Sequence, residues 1–309
     1  MTAEKFIDHH IQGFPITTIS VLSPYTGLIL AVVLCVLFLV RFYVLELFLL
    51  ERLYGIKYTC LNEIDRRGFV NHHIAGATKI IILITAVYPF LSVAFGHSGF
   101  HDPFVKGSIV TMGDILVICS QMLVGMFIFE LTYRVKISPV SVVHHLGSIL
   151  VAQAAITISI EEQRDSSIEF VLCTVWGAFD MVCEFLPHVA IILYRVYPDS
   201  HHFLASLFRT ACLTTFIGTV SETIVTMYLF GQLWHRWELS FKIATPILHI
   251  AFSAAQFHGT RIFYAMWKKQ ERLIREAADL EKGQDKVISS AHDSEESERG
   301  VGSMEEVHA

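Results

Sequence analysis

The chain has 309 residues, of which 53% are apolar and 17% are charged, and its formal net charge is −6. Because soluble domains usually carry about 25% charged residues, this composition disfavours a soluble globular protein. The acidic balance also gives no reason to expect nucleic acid as a partner. The six cysteines are scattered and form no CxxC pair, so we interpret them as small apolar residues rather than as a disulfide framework.

The apolar residues form long blocks separated by polar segments. A helix of about 20 mainly apolar residues is long enough to cross a bilayer. We therefore predict an all-α membrane protein with about seven transmembrane helices, over residues 26–50, 74–95, 109–133, 140–160, 168–194, 203–229 and 241–266. Pro89 and Pro187 fall inside two of these blocks and predict kinks, because proline removes a helical hydrogen bond.

Basic residues indicate the orientation of the helices, because short cytoplasmic loops are enriched in Lys and Arg. The polar segment 51–79, which we assign to the first loop, carries Arg52, Lys57, Arg66, Arg67 and Lys79. The link after the third span and the segment after the seventh are also basic. The pattern predicts a lumenal N-terminus and a cytosolic C-terminus. Residues 283–309 are rich in Ser, Glu and Gly, and we predict that they are disordered.

Ionisable residues inside the predicted spans are the strongest functional signal. A charged side chain at the centre of a membrane helix costs about 2.5–3.5 kcal/mol, so a group of them indicates a polar cavity, mutual pairing or both. With the predicted orientation, most of these residues fall in the cytosolic half of the membrane. The candidates for cavity lining or substrate binding are Glu130, His188, Glu222, His249, His258 and Arg261.

Two motifs supply the candidate catalytic residues. Asp180, Glu184 and His188 are spaced i, i+4, i+8, so a continuous helix places them in one stripe. His144 and His145 are adjacent, about 100° apart around a helix, so both can border one cavity. The predicted catalytic residues are His144, His145, Asp180 and Glu184. Acid–base chemistry or contact with a substrate headgroup is their expected role, and polar contact between helices is the alternative.

The remaining histidine pairs do not predict a metal centre. They are His9–His10, His72–His73 and His201–His202, and they fall in loops or at span ends. Di-iron lipid hydroxylases and desaturases need HxxHH boxes, and no pair in this chain has a histidine three positions before it. We therefore predict no metal site and no bound cofactor.

These segments resemble the TLC-domain family, which is named for the TRAM translocon proteins and the ceramide synthases. The matching features are a third span bearing Glu130, the S-x-x-HH motif at 141–145, the D-x-x-x-E motif from Asp180, and the segment LNEIDRRGFVNHH before the second span. The resemblance covers about residues 61–269. It implies a six-helix ring around a lipid-sized cavity, with the first span as an additional N-terminal helix.

The ceramide-synthase motif is only half present. In those enzymes the tandem histidine is followed one helix later by H-D-x-x-D and a further acid, whereas Trp176 and Gly177 stand where H-D is expected. The resemblance therefore implies a protein that binds or handles a lipid and influences membrane lipid homeostasis. One alternative is a ceramide-synthase-like N-acyltransferase, with acyl-CoA as co-substrate. The other is a cargo or translocation factor.

The predicted domains are an N-terminal segment with the first transmembrane helix (1–60), a TLC-like six-helix domain (61–269), and a cytosolic helix extension with a disordered acidic tail (270–309). The expected partner is a membrane lipid, either a sphingoid base or a molecule with a fatty acyl chain. The expected location is the endoplasmic reticulum or another endomembrane.

Overall fold

The computed structural model describes the backbone of residues 19–160 and 167–305 and the side chains of residues 19–160 and 168–284. Every regular element in these ranges is a helix, which confirms the predicted all-α class. The longer helices are α1 (Ser23–Tyr54), α2 (Glu63–Ala94), α3 (Met112–Tyr133), α4 (Pro139–Ile158), α5 (Ser167–Cys183), α6 (Phe185–Val196), α7 (His201–Gln232) and α8 (Leu239–Glu305). The N-terminal part of the first predicted domain and the last four residues of the predicted tail lie outside the described residues.

Six helical segments in the described part of the chain are long and apolar enough to cross a membrane. They are α1, α2, α3, α4, the α5–α6 pair and α7, and they follow the order of six predicted spans. The seventh span stays a prediction. Its residues, 241–266, form the first part of α8.

The helix α8 continues past the predicted seventh span to Glu305. The backbone is therefore helical over residues 283–305, where the composition predicted disorder. No proline follows Pro246, so every residue of this segment keeps the backbone N–H that continues the helical hydrogen bonding, even though its Ser and Gly residues are weak helix formers.

The helix α1 packs against α3 and carries a charged pair. Its middle part, Val40–Leu49, is π-helical. Arg41 and Glu46 in this part form an ion pair at 3.1 Å, and Tyr133 on α3 donates a hydrogen bond to Glu46. Most of the remaining surface of α1 is apolar and exposed, as expected for a helix that faces lipid.

The helix α2 begins well before its apolar block. Asn62 caps it, because the Asn62 side chain accepts a hydrogen bond from the backbone N–H of Asp65 at 2.9 Å. The first part of α2 is polar in sequence, yet it packs inside the protein with Asn71 and Lys79 buried. The assignment of Lys79 to the first loop is therefore wrong, and the helix that contains it begins eleven residues before the predicted span 74–95.

The start of α3, at the opposite end of the bundle, is also capped. Thr111 accepts a hydrogen bond from the backbone N–H of Asp114, and the Asp114 carboxylate accepts one from the N–H of Thr111. The hydroxyl of Ser20 also donates to Asp114 at 2.5 Å. The segment before α1 is thus tied to the start of α3, and Ile19 and Ser20 are buried there.

The fifth predicted span consists of two helices, because α5 ends at Cys183 and α6 begins at Phe185. Pro187 has no N–H to donate to the carbonyl of Cys183 four residues earlier, so the helix breaks before the proline rather than at it. The end of α5 packs tightly against α7. A Cβ atom added to Gly218 would lie 2.3 Å from the Sγ atom of Cys183.

Candidate functional site

A cavity of about 290 Å³ lies among the helices. Residues of α2, α3, α4, α5, α7 and α8 line it, whereas α1 contributes no lining residue. The lining is mainly aliphatic and aromatic. It also includes His144, Asp180 and Glu222, together with the amide of Gln256. An apolar space with a few converging polar groups is typical of a small-molecule or cofactor site.

Four ionisable side chains meet at the edge of this cavity, and we call them the Lys79 cluster: Lys79, His144, Asp180 and Glu184. The Nζ atom of Lys79 is 3.3 Å from Oδ2 of Asp180 and 3.3 Å from Oε2 of Glu184. On the other side, Nε2 of His144 is 3.7 Å from Oδ1 of Asp180 and 4.0 Å from Oε1 of Glu184. The structure therefore brings together three of the four predicted catalytic residues.

Lys79 is the member of this cluster that the sequence interpretation missed. Its side chain is fully buried, with 0% relative exposure, and it also donates to the backbone carbonyl of Asp180 at 3.1 Å. A buried ammonium group is costly unless it is paired, and here two carboxylates pair with it. The predicted span 74–95 already contains Lys79, and counting the residue with the basic loop obscures its position inside the helix.

His145 lies outside the cavity lining, in contrast to the expectation that both histidines border one space. Its Nε2 atom is 3.6 Å from Oε2 of Glu130 on α3. The other oxygen of Glu130 accepts a hydrogen bond from Arg134 at 2.5 Å. Because adjacent helical residues point about 100° apart, His144 faces Asp180 while His145 faces α3. Glu130 and His145 thus form a separate buried pair.

His188 also leaves the predicted stripe. The break at Glu184 interrupts the helix on which the i, i+4, i+8 spacing was based. Asp180 and Glu184 still meet at Lys79. His188 instead lies with its Nδ1 atom 2.9 Å from Nδ1 of His72 on α2.

The other predicted lining residues divide into three groups. Glu222 lines the cavity and accepts a hydrogen bond from Gln256 at 2.7 Å. His249 lies behind the lining, where it accepts a hydrogen bond from the indole N–H of Trp176 at 3.2 Å. His258 and Arg261 are exposed and do not line the cavity.

The geometry suits recognition of an amphiphilic molecule. The apolar walls can hold an alkyl chain, while the ammonium, imidazole and carboxylate groups of the Lys79 cluster can contact a polar end group. His144 and Asp180 are the cluster members that reach the lining itself. An imidazole next to a carboxylate is also the arrangement of a general base.

The apolar helices, the buried charged cluster and the cavity define the class of this chain as an all-helical, multi-pass membrane protein. No protein-family model, curated protein or solved structure matches it. The functional inference therefore depends on the site itself.

Proposed function

We propose that this protein binds a single membrane lipid, or a related amphiphile with one long chain, in the cavity beside the Lys79 cluster. The observation that carries the proposal is the composition of the cavity wall, which is apolar over most of its extent and polar at His144, Asp180, Glu222 and Gln256. The role is lipid handling in an endomembrane such as the endoplasmic reticulum. The N-terminus lies on the lumenal side and the C-terminus on the cytosolic side.

The position of the cavity supports a lipid rather than a water-soluble ligand. Val87 and Leu91 on α2 are lining residues, and each is about 50% exposed, so the cavity wall reaches the outer surface of a membrane-spanning helix. The resemblance to TLC domains is an independent, sequence-based reason to expect a lipid. In this proposal α1 is the additional helix, since it contributes no lining residue.

Two residues favour binding over catalysis. Trp176 and Gly177 occupy the positions at which ceramide synthases carry H-D, and both line the cavity. Trp176 donates to His249, so its indole group serves the packing of α5 against α8. Gly177 adds no side chain, and a Cβ atom there would lie at an ordinary distance of 3.6 Å from Leu123. The site thus has a packing indole at one of these positions and space at the other, where the enzymes carry reactive groups.

Filling the cavity tests this proposal. The Gly177→Leu variant should place a side chain in the space assigned to the alkyl chain, whereas Ala77→Leu adds apolar volume to an exposed face of α2. We expect native mass spectrometry of the purified protein to detect a bound lipid with wild type and Ala77→Leu, and a loss of that lipid with Gly177→Leu. Equal lipid occupancy in all three folded proteins would refute the assignment of the cavity.

The second candidate function is N-acyl transfer from acyl-CoA, and the 3.7 Å approach of His144 to Asp180 at the cavity wall favours it. In this reaction the amine nitrogen forms a bond with the thioester carbonyl carbon as the C–S bond breaks. His144 takes the proton from the amine and returns it to the leaving thiolate. Incubation with acyl-CoA and a sphingoid base should then yield an amide product and free thiol with wild type and none with His144→Ala. Lipid binding without product, at any substrate concentration, would leave binding as the function.

A further inference from the structure

The Lys79 cluster has the donor set of a metal site. His144, Asp180 and Glu184 each offer one donor atom, and these atoms all lie within 4.8 Å of one another. The two distances from Nε2 of His144, 3.7 Å to Asp180 and 4.0 Å to Glu184, are slightly longer than the spacing of about 3.3–3.6 Å expected between ligands that bind one zinc ion at about 2.0–2.2 Å. A shift of a few tenths of an ångström would bring Nε2 of His144 to this ligand spacing from each carboxylate.

Lys79 does not occupy the position between these donor atoms. It contacts Oδ2 of Asp180 and Oε2 of Glu184, whereas the other oxygens, Oδ1 and Oε1, face His144. The lysine therefore holds one oxygen of each carboxylate, and the other oxygen of each carboxylate is directed to the imidazole of His144. Outer contacts of this kind orient the ligands of natural metal sites.

Unpartnered atoms at the same point give a second, independent indication. Asp180 has a relative exposure of only 8%, and its Oδ1 atom has no hydrogen-bond partner among the described residues. Both ring nitrogens of His144 are likewise buried without a hydrogen-bond partner in this part of the chain. Buried polar atoms are nearly always satisfied, so Oδ1 of Asp180 and Nε2 of His144, which face each other at 3.7 Å without a hydrogen bond, indicate a missing ligand between them.

We propose that His144, Asp180 and Glu184 bind one divalent transition-metal ion, with zinc as the ion that best fits the set. One imidazole and two carboxylates are nitrogen and oxygen ligands that zinc accepts at tetrahedral angles. The proposal revises the expectation of no metal, which considered only HxxHH boxes. It also goes beyond the lipid-binding function, because the ion can bind whether or not a lipid occupies the cavity.

Three protein ligands leave the fourth position of a tetrahedral ion free. Since His144 and Asp180 line the cavity, this open position faces the space assigned to the lipid. The two carboxylates and Lys79 carry a net charge of −1 when His144 is neutral, and one divalent ion changes it to +1. An oxygen of an anionic end group, such as a carboxylate or a phosphate, is therefore the chemical class that completes the site.

Cobalt binding provides the test. The full chain is purified in detergent with a tag that contains no histidine, stripped with a chelator and titrated with Co²⁺. We expect one Co²⁺ per protein, visible absorption bands of tetrahedral cobalt, and loss of these bands when Zn²⁺ is added. The His144→Ala and Glu184→Gln variants should bind Co²⁺ at least about 10–100-fold more weakly. Glu184→Gln keeps an acceptor for Lys79, so this variant should remain folded.

The matched control is His258→Ala, which removes an exposed histidine from α8. It should bind Co²⁺ like wild type, because His258 neither lines the cavity nor belongs to the Lys79 cluster. Wild-type protein that binds no Co²⁺, or that binds it no better than the His144→Ala variant, would overturn the proposal. An equal loss in His258→Ala would do the same, since it would assign the binding to surface histidines. None of these outcomes depends on whether a lipid is detected in the cavity.

Discussion

Replacement of Lys79 by methionine removes the cation between Asp180 and Glu184 and keeps a side chain of similar length. At 3.3 Å and an effective dielectric constant of about 20, each of the two ion pairs contributes about 5 kcal/mol of Coulomb energy. The desolvation of a fully buried lysine offsets much of this gain. Since removal of one partner from a buried pair usually costs about 3–5 kcal/mol, we expect the Lys79→Met variant to lose about that much unfolding free energy.

A charge-free version of the cluster separates the effect of charge from the effect of packing. The triple variant Lys79→Met/Asp180→Asn/Glu184→Gln leaves no unpaired charge, so it should recover most of the lost stability. Unfolding in detergent, followed by tryptophan fluorescence during a titration with SDS, ranks the variants. The exposed pair of Lys268 and Glu271 gives the control, because Lys268→Met should cost far less. A Lys79→Met variant that unfolds at the same SDS concentration as wild type would refute the buried ion pairs.

Three further predictions test other parts of the fold. Gly218→Ala should lower the unfolding free energy by about 1–3 kcal/mol in the same titration, because the added Cβ would collide with Cys183. Gly259→Ala is the control, and it should be neutral or stabilising because a Cβ atom there meets open space. Asp114→Ala should lower the unfolding free energy by about 1–3 kcal/mol, because it removes the acceptor of the buried Ser20 hydroxyl and of the Thr111 N–H at the start of α3. A change near zero would contradict the cap. The exposed Cys60 should react with a membrane-impermeant maleimide only from the cytosolic side, and lumenal labelling would reverse the predicted orientation.

The sequence predicts the helices well because a membrane span needs a long apolar block, and such blocks are visible without any tertiary information. It fails where polar residues are stabilised by partners distant in the chain. Lys79 looks like a loop residue until Asp180, which follows it by about a hundred positions, is known to contact it. The proximity of the Asp180 and Glu184 carboxylates was predictable from their spacing, because one helical turn separates them.

The roles of the two adjacent histidines could not be separated from the sequence. A pair such as His144–His145 defines two directions about 100° apart, but not which direction faces the cavity. That choice depends on how α4 is rotated against α3 and α5. In the structure α3 supplies Glu130 as the partner of one histidine, and α5 supplies Asp180 as the partner of the other. The break before Pro187 was predictable as a kink. The resulting displacement of His188 from the stripe of Asp180 and Glu184 was not predictable, because it depends on the contact of His188 with His72.

The contact between Lys79 and the backbone carbonyl of Asp180 has a consequence for how this chain can evolve. The carbonyl lies in the last turn of α5, where it also accepts a hydrogen bond from the backbone N–H of Glu184 at 3.1 Å and where the helix dipole favours a cation. Pro187 creates this helix end, and Lys79 stabilises it from another helix. The two positions should therefore covary among related sequences. A relative that replaces Pro187 with a residue able to continue the helix should tolerate the loss of the lysine more readily than this chain does.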